Sequence, residues 1–197
     1  TGIAVDPAGN VFVADTQNHR VRRIGTDGKI ATVLGTGQPN FDGDGKPGDQ
    51  APVFYPESVA LDSAGNLYVA DTFNHRIRKL STLGIASTVA GNGTPAFRGD
   101  GGQAASASLN YPRGVSVDAS GNILIADSIN NRIRMISENG VIRTIAGAGF
   151  FGDAGDGGPA VEALLRYPRA IISNGSGGYL VLDTDNHRIR QLTPIPQ

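Results

Sequence analysis

The stretch that decides the fold is GNVFVADTQNHRVRRI, residues 9–24, because its pattern returns three more times along the chain. The later copies read GNLYVADTFNHRIRKL at 65–80, GNILIADSINNRIRMI at 121–136 and GGYLVLDTDNHRIRQL at 177–192. The starting positions 9, 65, 121 and 177 are evenly spaced, so the period is constant and shows no slippage. Self-similarity at a fixed period of this length indicates a repeat architecture, in which each repeat is one supersecondary unit.

The repeat divides the chain into units 1–56, 57–112, 113–168 and a partial 169–197. Within the first unit, the alternation of apolar and polar residues and the turn PAGN predict strands near 2–6, 11–15, 20–24 and 30–34. About 20 residues rich in Gly, Pro and Asp then lead to the next unit. Four short strands and one long return loop describe a propeller blade. We therefore expect a single all-β domain, a β-propeller segment with three full four-stranded antiparallel blades and part of a fourth, and no helix longer than two turns.

The repeated strings and the long loop resemble those of a known family. The strings at 9–24 and 65–80 resemble NHL repeats, and the loop FRGDGGQAASASLNYP at 97–112 resembles the long-loop variety of bacterial secreted proteins and of the teneurin propeller. The resemblance implies a ring of about six blades. It also implies an extracellular or cell-surface location, with the periplasm as an alternative. Family members include protein-binding modules, RNA-binding propellers and an amidating lyase, so the resemblance does not decide the function.

Composition excludes several classes of function. The 197 residues contain no cysteine, so disulfides and thiolate chemistry are excluded. No apolar run approaches the ~20 residues that cross a bilayer, so we expect no membrane insertion. The formal net charge is −1, and eight of the 17 Lys and Arg residues lie in the repeated Arg positions, so we expect no nucleic-acid partner.

Residues present in every unit are more easily explained by blade construction than by a ligand site. The string Asp-x-x-Asn-(His/Asn)-Arg falls at the turn between the second and third strands, where Asp and Asn bond their own backbone. A second Arg follows two residues later, on the same face of the strand. We predict that these arginines donate to the repeated Asp and to loop carbonyls. The residues assigned to this structural role are Asp15, Asn18, Arg20, Asp71, Asn74, Arg76, Asp127, Asn130, Arg132, Asp183, Asn186 and Arg188.

Metal sites and cofactors are not predicted. The three histidines, His19, His75 and His187, share one repeat position, which spreads them around a ring, whereas a zinc site needs convergence at about 2 Å per ligand. The loop FDGDGKPGD at 41–49 has Lys46 at the fifth position of a calcium-loop pattern and no closing Glu. A single calcium site there stays open as an alternative.

The residues that break the repeat are the candidates for binding. Antiparallel strands place the long loops and the Asp-x-x-Asn turns on one face, where rigid scaffolds carry variable binding loops. Aromatic and Arg residues are frequent interface anchors, although the rings could equally fold back onto their own loops. The Arg98-Gly99-Asp100 string is treated as coincidence, since Gly-Asp recurs in all three loops. The candidates are Phe73, Asp42, Lys46, Phe97, Arg98, Phe150, Phe151, Asp153 and Asp185, with Gln17 and Ile129 at the equivalent short-turn positions.

No catalytic set is evident in the sequence. The inner strands offer only Asp6, Asp62, Asp118 and Asn174, at one shared position that suits turns. We therefore predict a non-catalytic scaffold that binds a protein or another ligand within a larger extracellular bacterial protein. Two alternatives stay open. The chain could belong to a propeller enzyme, a metal-dependent lyase or lactonase, whose site lies elsewhere. It could also be a structural subunit that self-associates through blade edges.

The end of the chain carries a separate expectation. The fourth unit supplies three strands, and the tail contains Pro194 and Pro196, which cannot donate to a ladder. The strand near 188–192 is therefore expected to have no outer partner within the chain. Because exposed strand edges invite pairing with another chain, we expect self-association.

Overall fold

The computed structural model describes residues 2–193, and the expectations for Thr1, Pro194 and Pro196 lie outside that range. Within that range, fifteen strands form four antiparallel meanders, one per sequence unit, of four, four, four and three strands. The strands are β1 (Ile3–Val5), β2 (Val11–Asp15), β3 (Arg20–Ile24), β4 (Ile30–Leu34), β5 (Pro56–Leu61), β6 (Leu67–Asp71), β7 (Arg76–Leu80), β8 (Ala86–Ala90), β9 (Pro112–Val117), β10 (Ile123–Asp127), β11 (Arg132–Ile136), β12 (Ile142–Ala146), β13 (Pro168–Ser173), β14 (Tyr179–Asp183) and β15 (Arg188–Leu192).

The expected propeller fold is confirmed, and the second, third and fourth strands of the blades lie where the repeat predicts them. The innermost strand differs, because β5, β9 and β13 begin at the seam prolines, two residues before the expected start. A register shift next to each seam proline lets the strand continue into the seam. The helices of the described residues are three-residue 3-10 turns, so no helix there is long enough to cross a membrane.

The inner strands of the four blades lie side by side and approach one another closely, and we call the groove that they line the channel. β5 packs between β1 and β9, and β13 packs against β9. A Cβ on Gly2 would lie 2.7 Å from Ser58 Cα, and one on Gly114 would lie 2.5 Å from the Arg169 carbonyl oxygen. These distances are too short for a side chain. The sequence therefore places small residues, Gly2, Ser58, Gly114 and Ala170, where the strands meet.

The hydrophobic core lies between blades. Between blades 1 and 2, Val21 and Leu34 of the first blade pack with Val59, Val69 and Leu80 of the second. Similar clusters join blades 2 and 3 and blades 3 and 4. Each blade therefore buries apolar residues on both faces when it has two neighbours.

The two outer blades each leave one apolar face exposed. On blade 1, Ile3 and Val5 are more than half exposed. On blade 4, Leu182 and Ile189 are exposed, and β15 pairs with β14 on one side only among the described residues. The prediction of an unpaired strand at 188–192 is thus confirmed for the part of the chain that the structure describes.

Candidate functional site: the loop face and the channel mouth

The short turn between the second and third strands is built identically in all four blades. In blade 2, the Asn74 side-chain amide donates to Asp71 at 2.9 and 3.0 Å, and a 3-10 turn spans Thr72–Asn74. The Asp71 carboxylate also accepts the Phe54 amide, at 2.7 Å, from the preceding long loop. Equivalent bonds occur around Asp127 and Asp183. The predicted turn role of these residues matches the contacts.

The histidines act as hydrogen-bond acceptors between blades. His19 Nδ1 accepts the Tyr55 amide at 3.2 Å, and His75 Nδ1 accepts the Tyr111 amide at 3.1 Å. In blade 3 the same bond is made by Asn131, whose side-chain oxygen accepts the Tyr167 amide. Each acceptor residue holds a left-handed backbone, with φ of 51–55°.

The interchange of His and Asn at this position identifies the acceptor atom as the shared feature. Burial, and then the nearby Arg76 charge, lower the pKa of His75, which favours the neutral ring that an acceptor nitrogen requires. Among residues 2–193, no cluster of three or more His, Asp or Glu side chains is placed to hold a metal ion.

In blades 2, 3 and 4, the second arginine of the pair bridges the preceding long loop to the blade. Arg78 is fully buried, with Asp71 at 3.6 Å and Asp44 of the preceding loop at 3.0 Å. Arg134 holds Asp127 at 3.2 Å and Asp100 at 2.6 Å, and Arg190 is placed in the same way on Asp183 and Asp156. The repeated Asp-Gly of the long loops is thus an anchor for these arginines.

These contacts also account for the Arg98-Gly99-Asp100 string. The Asp100 carboxylate is occupied by Arg134 and by the Thr144 hydroxyl at 2.6 Å. Arg98 itself uses its carbonyl to accept the Ser108 amide. An adhesion motif would need the Asp carboxylate free, so the structure agrees with coincidence.

The first arginine of each pair closes the loop from the other side. Arg76 donates to the carbonyls of Asn74 and Asn92, and its guanidinium lies 3.6 Å from the centre of the Phe41 ring. Arg132 repeats this arrangement with Phe97 at 3.7 Å. Phe97 was predicted from the sequence as a binding residue. It has a counterpart one period earlier, Phe41, and both rings stack on the equivalent arginine of the blade. Asp153 stands at this position in the third loop and pairs with Arg188 at 3.4 Å.

The buried carboxylates have perturbed acidity. Burial raises the pKa of Asp71 to about 6, against the opposing effect of the Asn74 and Phe54 hydrogen bonds and the Arg78 charge. Burial also raises the pKa of Asp127 to about 6. In the turns of the opposite face the pKa is shifted the other way. At Asp62, partial desolvation raises the pKa, but the hydrogen bonds from Asn66 and Tyr68 together outweigh it, so the pKa is lowered.

The inner-strand Asp position performs the predicted turn role. Asp6 accepts the backbone amide and the side-chain amide of Asn10, and Asp62 and Asp118 do the same with Asn66 and Asn122. Asn174 holds the fourth turn by accepting the Gly178 amide. Each blade carries one of these four side chains, on the face opposite the long loops.

The remaining candidates are distributed over the loop face. Phe150 and Phe151 are 74% and 72% exposed, so their rings are not folded into the loop. Phe73 packs against Phe54, Tyr55 and Tyr111 at ring-centre distances of 5.0 Å.

Three further candidates are engaged in local contacts. Asp42 and Lys46 pair with each other at 3.1 Å. Asp185 lies in the fourth short turn, where its amide donates to the Arg166 carbonyl. Phe150 and Phe151 therefore differ from the other aromatic candidates, Phe73 and Phe97, by their greater exposure.

The channel mouth contains charged residues that sequence reasoning missed. Glu57, Arg113 and Arg169 occupy one repeat position, directly after the seam prolines, on β5, β9 and β13. Arg113 donates to both Glu57 carboxylate oxygens, at 2.8 and 3.1 Å. A cavity of about 840 Å³ is lined by these three residues together with Asp15, Gln17 and Tyr55. The signal was available, since the charge at this inner-strand position reverses its sign between units.

The sheets and their packing define the class of the protein, a β-propeller built from four-stranded antiparallel blades. A protein of unknown function from Bacteroides thetaiotaomicron VPI-5482 shares this fold with a TM-score of 0.73 at 22% identity, covering 96% of this chain and 46% of that one. An auxiliary nutrient binding protein from the same organism has a TM-score of 0.69 at 17% identity, covering 98% and 47%. A streptogramin B lyase has 0.57 at 16%, covering 99% and 54%. At these identities the likeness concerns the fold alone.

Sequence comparison gives the family. The NHL repeat model matches residues 1–24 and 55–80, and the teneurin NHL domain model matches residues 93–152. Human teneurin-1 is 33% identical over 74% of the chain, and Drosophila melanogaster teneurin-m is 28% identical over 98%. The protein SUPPRESSOR OF QUENCHING 1, chloroplastic, of Arabidopsis thaliana is 29% identical over 98%. The chain belongs to the NHL-repeat β-propeller family. It spans 20% of the Arabidopsis protein and 5–7% of these two teneurins.

Proposed function

We propose that the chain is a non-catalytic scaffold that binds a protein or another ligand on the face that carries the long loops. One observation supports this most directly. The repeated polar residues are engaged in contacts within and between blades, whereas side chains that differ between units stand exposed on this face. Phe150 and Phe151 are the largest of these, each about three-quarters exposed. Adjacent exposed aromatic residues on a rigid scaffold are frequent anchors of interfaces.

The test compares two surfaces of the same chain. The double variant Phe150→Ser, Phe151→Ser removes the aromatic pair, and Leu83→Ser removes an apolar side chain that is 86% exposed in the turn between β7 and β8, on the opposite face. The labelled chains are applied to an array of purified extracellular proteins and glycans. We expect at least one binding signal that the double variant loses and Leu83→Ser keeps. If every signal survives in the double variant, the loop face is not the binding surface.

We propose further that the chain works as part of a larger extracellular bacterial protein. Its small share of the matched relatives supports a place within longer chains. The extracellular location is supported by its likeness to teneurins. Protease treatment of intact cells that express the parent protein tests this. Cleavage within the propeller before lysis is expected, and complete protection until lysis would contradict it.

Self-association is a second candidate function, supported by the apolar faces of the outer blades. Leu182 and Ile189 lie on one face of blade 4, and their equivalents in blades 1–3 are buried by the following blade. Light scattering on the purified chain should report an assembly that Ile189→Asp weakens and Leu83→Asp leaves intact. A stable monomer at tens of micromolar would remove this candidate.

The catalytic alternative is tested directly. Solved structures with this fold include a streptogramin B lyase and a putative gluconolactonase, and those activities belong to those proteins. Metal analysis of the purified chain, with lactone and peptidylglycine substrates assayed beside it, should show no stoichiometric transition metal and no turnover. Turnover above the blank would overturn the non-catalytic proposal.

A further inference from the structure

The charged position at the channel mouth differs from the rest of the repeat. In units two to four, a seam proline precedes it and a small residue follows it, yet the position itself changes from Glu57 to Arg113 to Arg169. Blade construction explains residues that are constant between units. The change from Glu57 to Arg113 is explained by the ion pair that these two residues form between blades, but the second arginine, Arg169, has no such explanation.

The backbone places the two arginines beside each other. A Cβ on Gly114 would lie 2.5 Å from the Arg169 carbonyl oxygen, so β9 and β13 are in close contact at this level. Two like charges on adjacent strands repel. Glu57 compensates one of them, by its ion pair with Arg113. Arg169 is exposed. Within residues 2–193, its guanidinium forms no ion pair and no side-chain hydrogen bond with another residue.

The cavity beside these residues adds the space for a ligand. It is a groove open to solvent, with a volume of about 840 Å³ that is large enough to admit a small molecule. The other charged group on its wall is Asp15, which lies 3.7 Å from Arg22 and accepts a bond from Asn18. Among residues 2–193, Arg169 is therefore the charged residue of this wall that forms no ion pair.

We propose that the channel mouth binds a small molecule through a carboxylate, with Arg169 as the principal donor and Arg113 beside it. This deepens the proposed binding function and rests on it. A guanidinium presents a planar set of donors that matches a carboxylate in two-point contact. The single uncompensated charge suits a monoanion. The pair between Glu57 and Arg113 is an internal example of the same recognition, one strand earlier. Tyr55 and Gln17 supply further polar and aromatic surface for the body of the ligand.

The experiment is calorimetric titration of the full chain at low salt with benzoate, pyruvate and galacturonate, and with inorganic phosphate in a separate arm. Arg169→Gln should weaken the best carboxylate by about tenfold to a hundredfold, which is the scale of a hydrogen bond to a charged group. Glu57→Gln should tighten binding severalfold, since it frees Arg113. Arg143→Gln is the control, because Arg143 is an exposed residue of β12 on the outside of blade 3.

Three outcomes would overturn the proposal. They are equal binding by wild type and Arg169→Gln, stronger binding of phosphate than of every carboxylate, and no carboxylate binding at millimolar concentration. Circular dichroism of each variant establishes that the fold is intact, so that a lost signal reports on the site. The array assay with the Phe150 and Phe151 variants measures a different surface. Failure of the carboxylate site and failure of the loop-face function are therefore observed separately.

Discussion

The interfaces between the inner blades and their following neighbours carry the same residue pattern as the outer face of blade 4, in different surroundings. Ile77 and Ile133 are 0% exposed, whereas Ile189 at the equivalent position of blade 4 is 70% exposed. The charged ladder differs between blade 2 and blade 1, whereas in blade 4 it stays buried beside the preceding loop, with the Arg190 and Asp183 side chains 8% and 0% exposed. Arg78 and Asp71 are both fully buried, while Arg22 and Asp15 of blade 1 each keep 27% of their side-chain surface. The comparison teaches that burial at a repeat position is conferred by the adjacent blade.

The largest expected effect is on the buried ion pair. Arg78→Ala should lower the free energy of unfolding by about 3–5 kcal/mol, because it removes the buried cation that pairs with both Asp71 and the loop carboxylate Asp44. Arg22→Ala should cost about 0–1 kcal/mol, since its pair with Asp15 is partly solvated and 3.7 Å long. Urea unfolding followed by circular dichroism measures both. Equal losses would show that the neighbouring blade does not set the strength of the pair.

The apolar positions give a matched pair of the same kind. Ile77→Ala should cost about 2–5 kcal/mol, because it opens a cavity between blades 2 and 3. Ile189→Ala should cost less than about 0.5 kcal/mol in the isolated chain, since its side chain is exposed. The same urea unfolding experiment applies. A loss of several kcal/mol at Ile189 would mean that its face is covered in solution, which would favour self-association.

The buried carboxylates predict a pH dependence that Asp71→Asn isolates. The pKa of Asp71 is raised to about 6 from its ordinary 3.8, so the folded chain binds this proton more tightly than the unfolded chain. The contribution to stability is therefore full below pH 4 and is lost as the pH rises through 6. The advantage of wild type over Asp71→Asn should be larger at pH 4 than at pH 7 by roughly 2 kcal/mol. An advantage that grows with pH would contradict the raised pKa.

The smallest expected effect concerns the stacked arginine. Arg76 and Arg20 both donate to two carbonyls, but only Arg76 has the Phe41 ring beneath its guanidinium among the described residues. Arg76→Ala should cost about 1–3 kcal/mol. We expect Arg20→Ala to cost about 1 kcal/mol less, the scale of a cation–π contact. If Phe41→Leu leaves that difference unchanged, the stacking contributes nothing.

The fold could be predicted because its information is periodic. The constant spacing of the copies defines the units, and the residue pattern within each unit predicts the exact bounds of the second, third and fourth strands. The innermost strand was placed less well, because its start depends on the Tyr-Pro seam. Tyr55, Tyr111 and Tyr167 take φ of 48–57°, held by the acceptor of the previous blade, and no local signal shows this contact.

The candidate site was predicted less completely for the same reason. Phe97 was singled out as individual, although Phe41 stands one period earlier and stacks on the equivalent arginine. Arg113 and Arg169 were not among the predicted site residues, because the repeated signal at the seam is the Tyr-Pro pair and the residue after it varies between units. Their proximity depends on strands that lie a full period apart in sequence, which only the packing around the channel brings together.

The joint between blades has a consequence for how such a chain can change its length. Thr16 donates to the Pro56 carbonyl, Thr72 to that of Pro112 and Ser128 to that of Pro168, always from the second turn of a unit to the seam that ends it. Every full unit thus carries the donor and the acceptor of one joint. An in-frame duplication of one whole unit would arrive with matching connections at both ends. Lengthening by duplication therefore requires no compensating substitution at the joints, whereas an insertion that is not a whole number of units would separate a donor from its acceptor.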